Sequence, residues 1–441
     1  MLNKEKNYFI LIILHVILGV VVFLSPKLSV VYGLLIFFVG AFFVIKTRNK
    51  NNEVLYAAAY IVGAEVFLRM TGGNLLYEFG KYGVIIFLII GMFYSGFSKN
   101  AIPYWIFLIL LIPSIIIATG SLNLGADIRK TIIFNISGPI CLGISSLYTF
   151  NRKITIGEIN NLLLIIGLPI ISCAIYITLY VPELKEVLTG TGSNSKTSGG
   201  FGPNQVSTIL GLGMFIFFSR LLFASSTKLL FFINLVIGLF MTYRGLITFS
   251  RGGMITGFLM YVLLFFFIYY YSKNRQKLKL NYFIGFLSVA FAFLLVYGEN
   301  QTDGLISKRY SNQDASGRTK ASKFTGREKI AEGEINVFLE NPFFGVGVAK
   351  GFELRREQTG EIVASHDEIT RMLAEHGSLG ILALLILLIT PMILYIDNKQ
   401  HVYMLSFLFF WLLTINHAAM RTAAPAFIYS LSLLKVRFDE K

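Results

Sequence analysis

The sequence predicts an all-α membrane protein, a polytopic bundle of about 12–14 transmembrane helices with one large helical loop outside the membrane. Of its 441 residues, 55% are hydrophobic and only 14% are charged, whereas about 25% of the residues in an ordinary soluble domain are charged. Apolar runs of about 16–22 residues recur along the chain, and each is long enough to cross a ~30 Å hydrocarbon layer as a helix. The composition therefore excludes a soluble cytosolic enzyme.

Charge and cysteine content narrow the class of partner. The formal net charge is +15, but the basic residues are scattered through short loops between apolar runs, so no basic domain exists to hold nucleic acid. Both cysteines, Cys141 and Cys173, lie inside apolar runs, which argues against a disulfide framework and against a thiolate metal cluster. We expect membrane lipids, and no nucleic acid, among the partners.

Hydropathy places about fourteen apolar segments along the chain. The first is too long for a secretory signal and lacks its small-residue cleavage pattern, so we expect it to be a permanent span. The predicted spans are Tyr8–Leu24, Leu28–Ile45, Val54–Met70, Tyr82–Phe97, Ala101–Ala118, Thr131–Leu147, Asn161–Val181, Gln205–Leu222, Leu229–Phe249, Gly253–Tyr271, Leu280–Tyr297, Ser378–Ile396, His401–Ile415 and Ala424–Leu434. They divide the chain into an N-terminal bundle of about eleven helices (1–297), a polar loop (298–377) and C-terminal helices (378–441).

The distribution of Lys and Arg sets the orientation, because basic residues are retained on the cytoplasmic side of short connections. With the N-terminus inside, alternate connections carry basic residues at every step, from Lys46 to Arg437. The same count places three polar connections outside: about Pro182–Asn204, the short corner at Ser250, and the loop 298–377. We therefore expect both termini in the cytoplasm and the polar loop in the periplasm.

The long external loop is expected to fold in part. Its first part, Gly304–Phe324, is rich in Ser, Asn and Lys and is expected to be mobile. Thr325-Gly326-Arg327-Glu328 then has the form of a capping box that opens a helix, and Asn341-Pro342 supplies its end. A second capping box, Ser365-His366-Asp367-Glu368, opens a helix that runs into the next span. Arg327 and His366 are expected in the first turns of these helices.

Two arginines are candidate anion ligands. A cation at a helix N-terminus is unfavourable by ~0.3–1 kcal/mol, and Arg327 beside exposed N–H groups would form a receptor for phosphate. Arg251 lies in Phe249-Ser250-Arg251-Gly252-Gly253, a predicted tight corner where the glycines allow close approach and positive φ. The alternatives are that Arg327 pairs with a nearby carboxylate and that Arg251 only snorkels at the bilayer edge.

Three further charged residues lie inside apolar runs. Arg244 is seven residues before Arg251 and would share its face only if one helix continued through both, in which case a shared anion or separate carboxylates would stabilise the pair. Glu65 is a candidate partner for Arg244, but Glu65 and Arg69 are also four residues apart. Such spacing predicts an ion pair on one helix face, with either a structural role or a place in the lining of a cavity.

His366 is the best candidate for a general base, because it alone of five histidines opens a predicted helix in the external loop. The helix start disfavours imidazolium, which keeps a neutral ring available near pH 7. His15, His376, His401 and His417 are interpreted as interfacial or packing residues. A metal held by His366, Asp367 and Glu368 is disfavoured, because neighbouring residues on a helix point apart and no H-x-x-x-H spacing occurs.

These residues together resemble a known family, the bacterial O-antigen ligase and O-antigen polymerase superfamily. The resemblance is carried by Phe249-Ser250-Arg251-Gly252-Gly253 at the head of an apolar helix, followed by the large loop. Within that loop it is carried by Gly326-Arg327, Asn341-Pro342-Phe343-Phe344-Gly345-Val346-Gly347, and Ser365-His366-Asp367-Glu368 through Leu373-Ala374-Glu375-His376-Gly377. It covers about Gly199–Leu388.

The resemblance implies a metal-independent, inverting glycosyltransferase of the bacterial inner membrane that needs no cofactor. Its donor would be an undecaprenyl-diphosphate-linked oligosaccharide, and its acceptor a lipid A core, for a ligase, or a second lipid-linked repeat, for a polymerase. Arg251 and Arg327 would then hold the diphosphate, with Arg244 as a further candidate, and His366 would activate the acceptor hydroxyl. A transporter or lipid flippase and a non-catalytic scaffold remain as alternative classes.

Overall fold

The helices form a bundle, and the polar loop gathers at one end of it. The computed structural model describes residues 2–123, 127–181, 183–320, 327–359, 365–418 and 420–437. The first elements are α1 (Leu2–Leu24), α2 (Leu28–Thr47), α3 (Glu53–Thr71), α4 (Phe79–Ser95), α5 (Ile102–Leu110), α6 (Ile112–Ser121), α7 (Ile128–Thr149), β1 (Lys153–Thr155), α8 (Ile156–Tyr180), α9 (Leu184–Val187) and α10 (Pro203–Phe223). They are followed by α11 (Lys228–Ile247), α12 (Arg251–Tyr271), α13 (Asn274–Gln301), α14 (Leu305–Tyr310), α15 (Arg327–Glu340), α16 (Lys350–Thr359), α17 (Glu368–Ile396), α18 (Met404–Ile415), α19 (Ala424–Leu431) and β2 (Lys435–Arg437).

Within the described chain, eleven helical segments are long and apolar enough to cross a membrane. This confirms the predicted all-α polytopic class. Helices α5 and α6 together form one of these segments, and the break between them lies just before Pro113, which lacks the N–H that a continuous helix needs. The apolar helices α4 and α18 are shorter, with 17 and 12 residues. The predicted span Ala424–Leu434 is shorter than expected, because α19 has only 8 residues and is about 12 Å long.

Helix α10 is the centre of the bundle, and glycines let a neighbour approach it closely. A Cβ atom added to Gly211 of α10 would lie 2.2 Å from the carbonyl oxygen of Gly253 in α12. A Cβ atom on Gly257 of α12 would lie 2.2 Å from the carbonyl oxygen of Gly211. Backbone atoms cannot yield as a flexible side chain can, so this contact requires glycine on both helices.

The connections predicted to be cytoplasmic lie together at one end of the bundle. Strands β1 and β2 pair in parallel, with Ile154 opposite Val436, and Asn398 Nδ2 donates to Leu434 O at 2.7 Å. Asn49 Nδ2 donates to the Tyr148 hydroxyl at 2.8 Å, which adds the connection between α2 and α3 to the same end. These contacts bring three of the connections predicted to be cytoplasmic, together with the C-terminal segment, to one end of the bundle. Which side of the membrane that end faces stays a prediction.

At the opposite end, two segments of the family resemblance fit against each other. Gly377 has φ 61° and ψ −142°, which breaks α17 and releases carbonyls from the helical ladder. Val346 N–H donates to Ala374 O at 3.0 Å, and Gly347 N–H donates to Glu375 O at 3.2 Å. The glycine-rich segment after α15 therefore satisfies the carbonyls at the kink, which is a structural reason for both motifs.

The external loop holds more helix than the sequence predicted. Helix α15 ends at Glu340, just before Asn341-Pro342, as expected, but Thr325 and Gly326 of its predicted capping box lie outside the described residues. Helices α14 and α16 were not predicted. The expectation of a mobile Gly304–Phe324 is wrong for α14, because Ile306 and Arg309 are buried there.

We expect Gly257→Ala to destabilise the bundle by about 1–3 kcal/mol, because the added methyl group collides with the main chain of α10. The measurement is thermal unfolding of the purified protein in detergent. The matched control is Gly285→Ala, because a Cβ atom at Gly285 of α13 has no neighbour within 4 Å among the described residues. Equal melting temperatures for the two variants would show that the close approach is not required.

Candidate functional site

The site begins at the corner between α11 and α12. Helix α11 ends at Ile247, and Arg251 is the first residue of α12. Phe249 adopts φ 57°, a left-handed conformation that is rare for a bulky side chain. Gly252 and Gly253, which could adopt positive φ, do not do so, but they allow close approach, because a Cβ atom on Gly252 would lie 2.5 Å from the imidazole of His417. The backbone of the corner is therefore strained at Phe249, two residues before Arg251.

A second arginine, Arg309, packs on this corner. Its Nε donates to Phe249 O at 2.8 Å, and Arg251 Nη1 lies 3.5 Å from Arg309 O. Burial and the neighbouring charge of Arg251 lower the pKa of Arg309. Sequence reasoning missed this residue because it lies 58 positions from Arg251 in a segment with no recognisable motif.

Arg327 is the first residue of α15, as predicted, and it faces the same cluster. Burial and then the charge of Arg251 lower the pKa of Arg327, and the carboxylates of Asp367 and Glu328 act in the opposite direction. Carboxylates and the second cation Arg251 thus both act electrostatically on Arg327, and its place as a diphosphate ligand stays a prediction. Arg251 and Arg327, which are far apart in sequence, act on one another electrostatically in the fold.

His366 lies beside these cations, just before α17. The cap of α17 is Asp367, whose Oδ1 accepts from Ile369 N at 2.8 Å. The prediction that Ser365 caps this helix with His366 in its first turn is therefore wrong by two residues. Burial, followed by the charges of Arg421, Arg327 and His417, lowers the pKa of His366 to about 4. Its Nδ1 is buried and has no hydrogen-bond partner within the described part of the chain.

Two residues near the C-terminus complete the site. Arg421 Nη2 donates to Ser365 O at 3.1 Å, which ties it to the residue before His366. His417 Nε2 lies 3.1 Å from the Thr208 hydroxyl, and burial lowers its pKa to about 4. The sequence interpretation of His417 as a packing residue missed its position against the corner. No local pattern marks either residue, because only the tertiary fold brings the connection between α18 and α19 here.

We define the cationic cluster as Arg251, Arg309, Arg327 and Arg421. Burial and neighbouring positive charges lower the pKa of Arg309, Arg327 and Arg421, so the guanidinium groups of the cluster repel one another. An anion bound between the guanidinium groups would relieve this repulsion, and the planar N–H groups match the oxygen geometry of phosphate. The arrangement can therefore bind a phosphate or diphosphate beside a neutral imidazole.

A cavity of about 650 Å³ adjoins the cluster. Ser365 and Arg421 belong to its wall, so the residue that precedes His366 lines the cavity. Aromatic side chains in the lining, which suit the apolar faces of sugar rings, are Tyr77, Tyr82, Phe134 and Phe352. Charges of both signs surround them, including Arg371 and Glu334. This wall can bind a polar ligand that carries both hydroxyl groups and apolar faces.

Glu65 and Arg69 form the predicted ion pair, with Arg69 Nη2 2.9 Å from Glu65 Oε1. Glu78 extends the network, because its Oε2 lies 3.3 Å from Arg69 Nη2 and 2.7 Å from Lys81 Nζ. Glu65 Oε2 also accepts from Ala423 N at 2.7 Å, next to the connection that carries Arg421. Glu78, rather than Glu65 or Arg69, is among the residues that line the 650 Å³ cavity.

Arg244 stays on α11 and lies apart from the corner. Its Nη2 donates to Ile177 O in α8 at 2.9 Å, and its side chain is buried with the residue only 3% exposed. Because α11 ends at Ile247, no continuous helix aligns Arg244 with Arg251. Glu65 is not its partner either, since Glu65 pairs with Arg69. Its place as a diphosphate ligand stays a prediction.

The described residues contain no group of three or more His, Cys, Asp or Glu side chains that could hold a metal ion. His366, Asp367 and Glu368 do not converge: Asp367 caps α17, while Glu368 is buried and contacts Arg371. Metal independence of the reaction remains a prediction.

Comparison with known proteins identifies the segment that holds most of this site. Residues 233–385 match the family model described as O-antigen ligase. The match includes Arg251, Arg309, Arg327 and His366, together with the kink at Gly377. No curated protein matches the chain. This match supports a relation between this segment of the chain and the O-antigen ligase superfamily.

Proposed function

We propose that the protein is a membrane glycosyltransferase of the O-antigen ligase type. It transfers a glycan from an undecaprenyl-diphosphate-linked donor to an acceptor hydroxyl at the periplasmic face of the bacterial inner membrane. The observation that carries this proposal is the convergence of Arg251, Arg327 and His366 at one end of the bundle, within the segment that matches the family model.

The cationic cluster supplies the leaving-group chemistry. As the bond between the anomeric carbon and the diphosphate oxygen breaks, negative charge grows on that oxygen. Arg251 and Arg327 stabilise this charge through charge-assisted N–H contacts, which act strongly in a partly buried site. Because the guanidinium groups are held in place before the donor arrives, little reorganisation is needed during the reaction. We propose that no metal ion takes part.

His366 accepts the proton of the acceptor hydroxyl. The neutral imidazole removes this proton while the hydroxyl oxygen attacks the anomeric carbon from the side opposite the diphosphate. The new glycosidic bond forms as the bond to the diphosphate breaks, so the configuration at the anomeric carbon inverts. The imidazolium that results lies beside the released diphosphate, whose negative charge stabilises it.

The 650 Å³ cavity is the proposed acceptor site. It shares Ser365 and Arg421 with the surroundings of His366, so an acceptor bound there presents a hydroxyl to the imidazole. We favour a lipid A core or similar acceptor, which makes the protein a ligase; a second lipid-linked repeat would make it a polymerase. Transport is disfavoured, because the charged residues inside apolar runs contact one another or the backbone: Glu65 pairs with Arg69, and Arg244 donates to a main-chain carbonyl.

Arginine variants test the donor site. We expect Arg327→Gln to lower the transfer rate by about 10²–10³-fold, the range for loss of one donor to a developing anion. Arg327→Lys should recover only part of that loss, because an ammonium keeps the charge but not the planar fork. The measurement is transfer by purified protein in detergent.

The matched control is Arg318→Gln in the same loop, whose side chain is 83% exposed. Full transfer by both Arg327 variants would defeat the assignment of the diphosphate site.

The pH dependence tests the base. Because the pKa of His366 is lowered to about 4, the imidazole is neutral, and able to accept a proton, at every pH well above 4. We expect kcat/KM, which reports the free enzyme, to stay level from about pH 8 to pH 5 and to fall only below that. His366→Ala should remove the activity at every pH. An acid limb near pH 6.5 in the wild type would contradict the lowered pKa.

Acceptor choice distinguishes ligase from polymerase. Purified protein is supplied with an undecaprenyl-diphosphate oligosaccharide and, separately, a lipid A core or a second lipid-linked repeat, with EDTA present throughout. We expect a single glycan transfer to the core, dependent on His366 and unaffected by EDTA. A ladder of repeats would indicate a polymerase instead. The absence of a His366-dependent product with either acceptor would favour the transporter hypothesis.

A further inference from the structure

Glu334 occupies an unusual position for a carboxylate. It lies on α15, and the residue is only 4% exposed. Seven residues separate it from Arg327 on the same helix, which is close to two full turns, so both side chains leave α15 on nearly the same face. Arg327 faces the cationic cluster, and Glu334 faces residues 365–370, on either side of His366.

Within the described part of the chain, Glu334 accepts hydrogen bonds from residues on either side of His366 and from one arginine of α16. The Thr370 hydroxyl donates to Glu334 Oε2 at 2.6 Å, and the Ser365 hydroxyl donates to the same oxygen at 3.2 Å. Arg355 Nη2 of α16 donates to Oε1 at 2.7 Å. The carboxylate thus binds the residue just before His366 and a residue in the first turn of α17.

We infer that Glu334 is a positioning residue for the proposed transfer. It fixes the position of residues 365–370, which include His366, relative to α15, which begins at Arg327. The inference rests on the proposed function for the reaction it serves. Its physical basis is that one buried carboxylate bridges α15, which begins at Arg327, to Ser365 and Thr370 on either side of His366. The imidazole and the guanidinium lie on separate elements, and without the bridge Glu334 would no longer connect these elements. Small errors in the placement of catalytic groups are costly.

The bridge has further support on the His366 side. Ser365 O accepts from Arg421 at 3.1 Å, and the Ser365 hydroxyl is also 3.3 Å from Asp367 N, the cap of α17. Burial raises the pKa of Glu334, and the hydroxyl and arginine contacts oppose this. A small number of contacts therefore holds residues 365–370 in place. Glu334 supplies the contacts that come from α15.

The first test measures kinetics in the full-length protein. We expect Glu334→Ala to lower kcat by on the order of 10–100-fold, with the KM for the lipid-linked donor changed by less than about threefold. Glu334→Gln keeps an oxygen that can accept from Thr370 and should recover part of kcat. The matched control is Glu332→Gln on the exposed face of the same helix, which should behave as the wild type.

The second test measures order without requiring any transfer. Hydrogen exchange of the segment 365–371 should be faster in Glu334→Ala than in the wild type, and unchanged in Glu332→Gln. Thr370→Val should reproduce part of the effect, and combining it with Glu334→Ala should cost less than the sum of the two, because both remove the same contact. Since this readout is independent of activity, it stands even if the proposed reaction is wrong.

Two results would overturn the inference. Wild-type kcat together with wild-type exchange in Glu334→Ala would show that the bridge does not order the segment. An unchanged kcat with a raised KM for the acceptor alone would show that Glu334 contacts the acceptor in the cavity rather than positioning His366. Failure of the proposed function has a different signature, namely full transfer by Arg327→Gln and His366→Ala.

Discussion

The burial of several guanidinium groups close to one another is the constraint on which the rest of the site depends. Arg251, Arg309 and Arg327 come from three different elements, and burial together with neighbouring positive charge lowers the pKa of Arg309 and Arg327. Buried arginines that repel one another can stay together only if other contacts in the fold hold them. Main-chain carbonyls do so, since Arg309 donates to Phe249 O and Arg251 lies against Arg309 O. Burial and then the charges of Arg421, Arg327 and His417 lower the pKa of His366, so two members of the cationic cluster also favour the neutral imidazole.

Close helix packing fixes where this cluster can form. Glycines on α10 and α12 bring the two backbones into contact, and the first residue of α12 is Arg251. Gly252 then makes room for His417, which places the connection between α18 and α19, and with it Arg421, beside the Ser365–Asp367 segment. Glu65, which pairs with Arg69, also contacts that connection, because its carboxylate accepts from the main-chain N–H of Ala423. The N-terminal helices thus bear on the site through α3, although the family match does not extend to them.

Hydropathy predicted the helices of the bundle and the sorting of their connections, because a span must be long and apolar and basic loops share one side. Arg251, Arg327 and His366 were also predicted, since each lies in a local motif at a helix end. Arg309, His417 and Arg421 were not, because only tertiary packing brings them to the site. The same limit explains Arg244: its spacing from Arg251 suggested a shared face, but α11 ends between them. The cap of α17 was misplaced because Asp367 and Ser365 are both good capping residues, and the packing of Ser365 against Glu334 decides between them.

The most direct test of the central claim is equilibrium binding of undecaprenyl diphosphate to the purified full-length protein in detergent, with EDTA present. If the cationic cluster is the diphosphate site, Arg251→Gln and Arg327→Gln should each weaken binding by about tenfold or more, as expected for loss of a charge-assisted contact. Arg318→Gln, which removes an exposed arginine from the same loop, should bind as the wild type does. Equal affinity for all three variants would contradict the account.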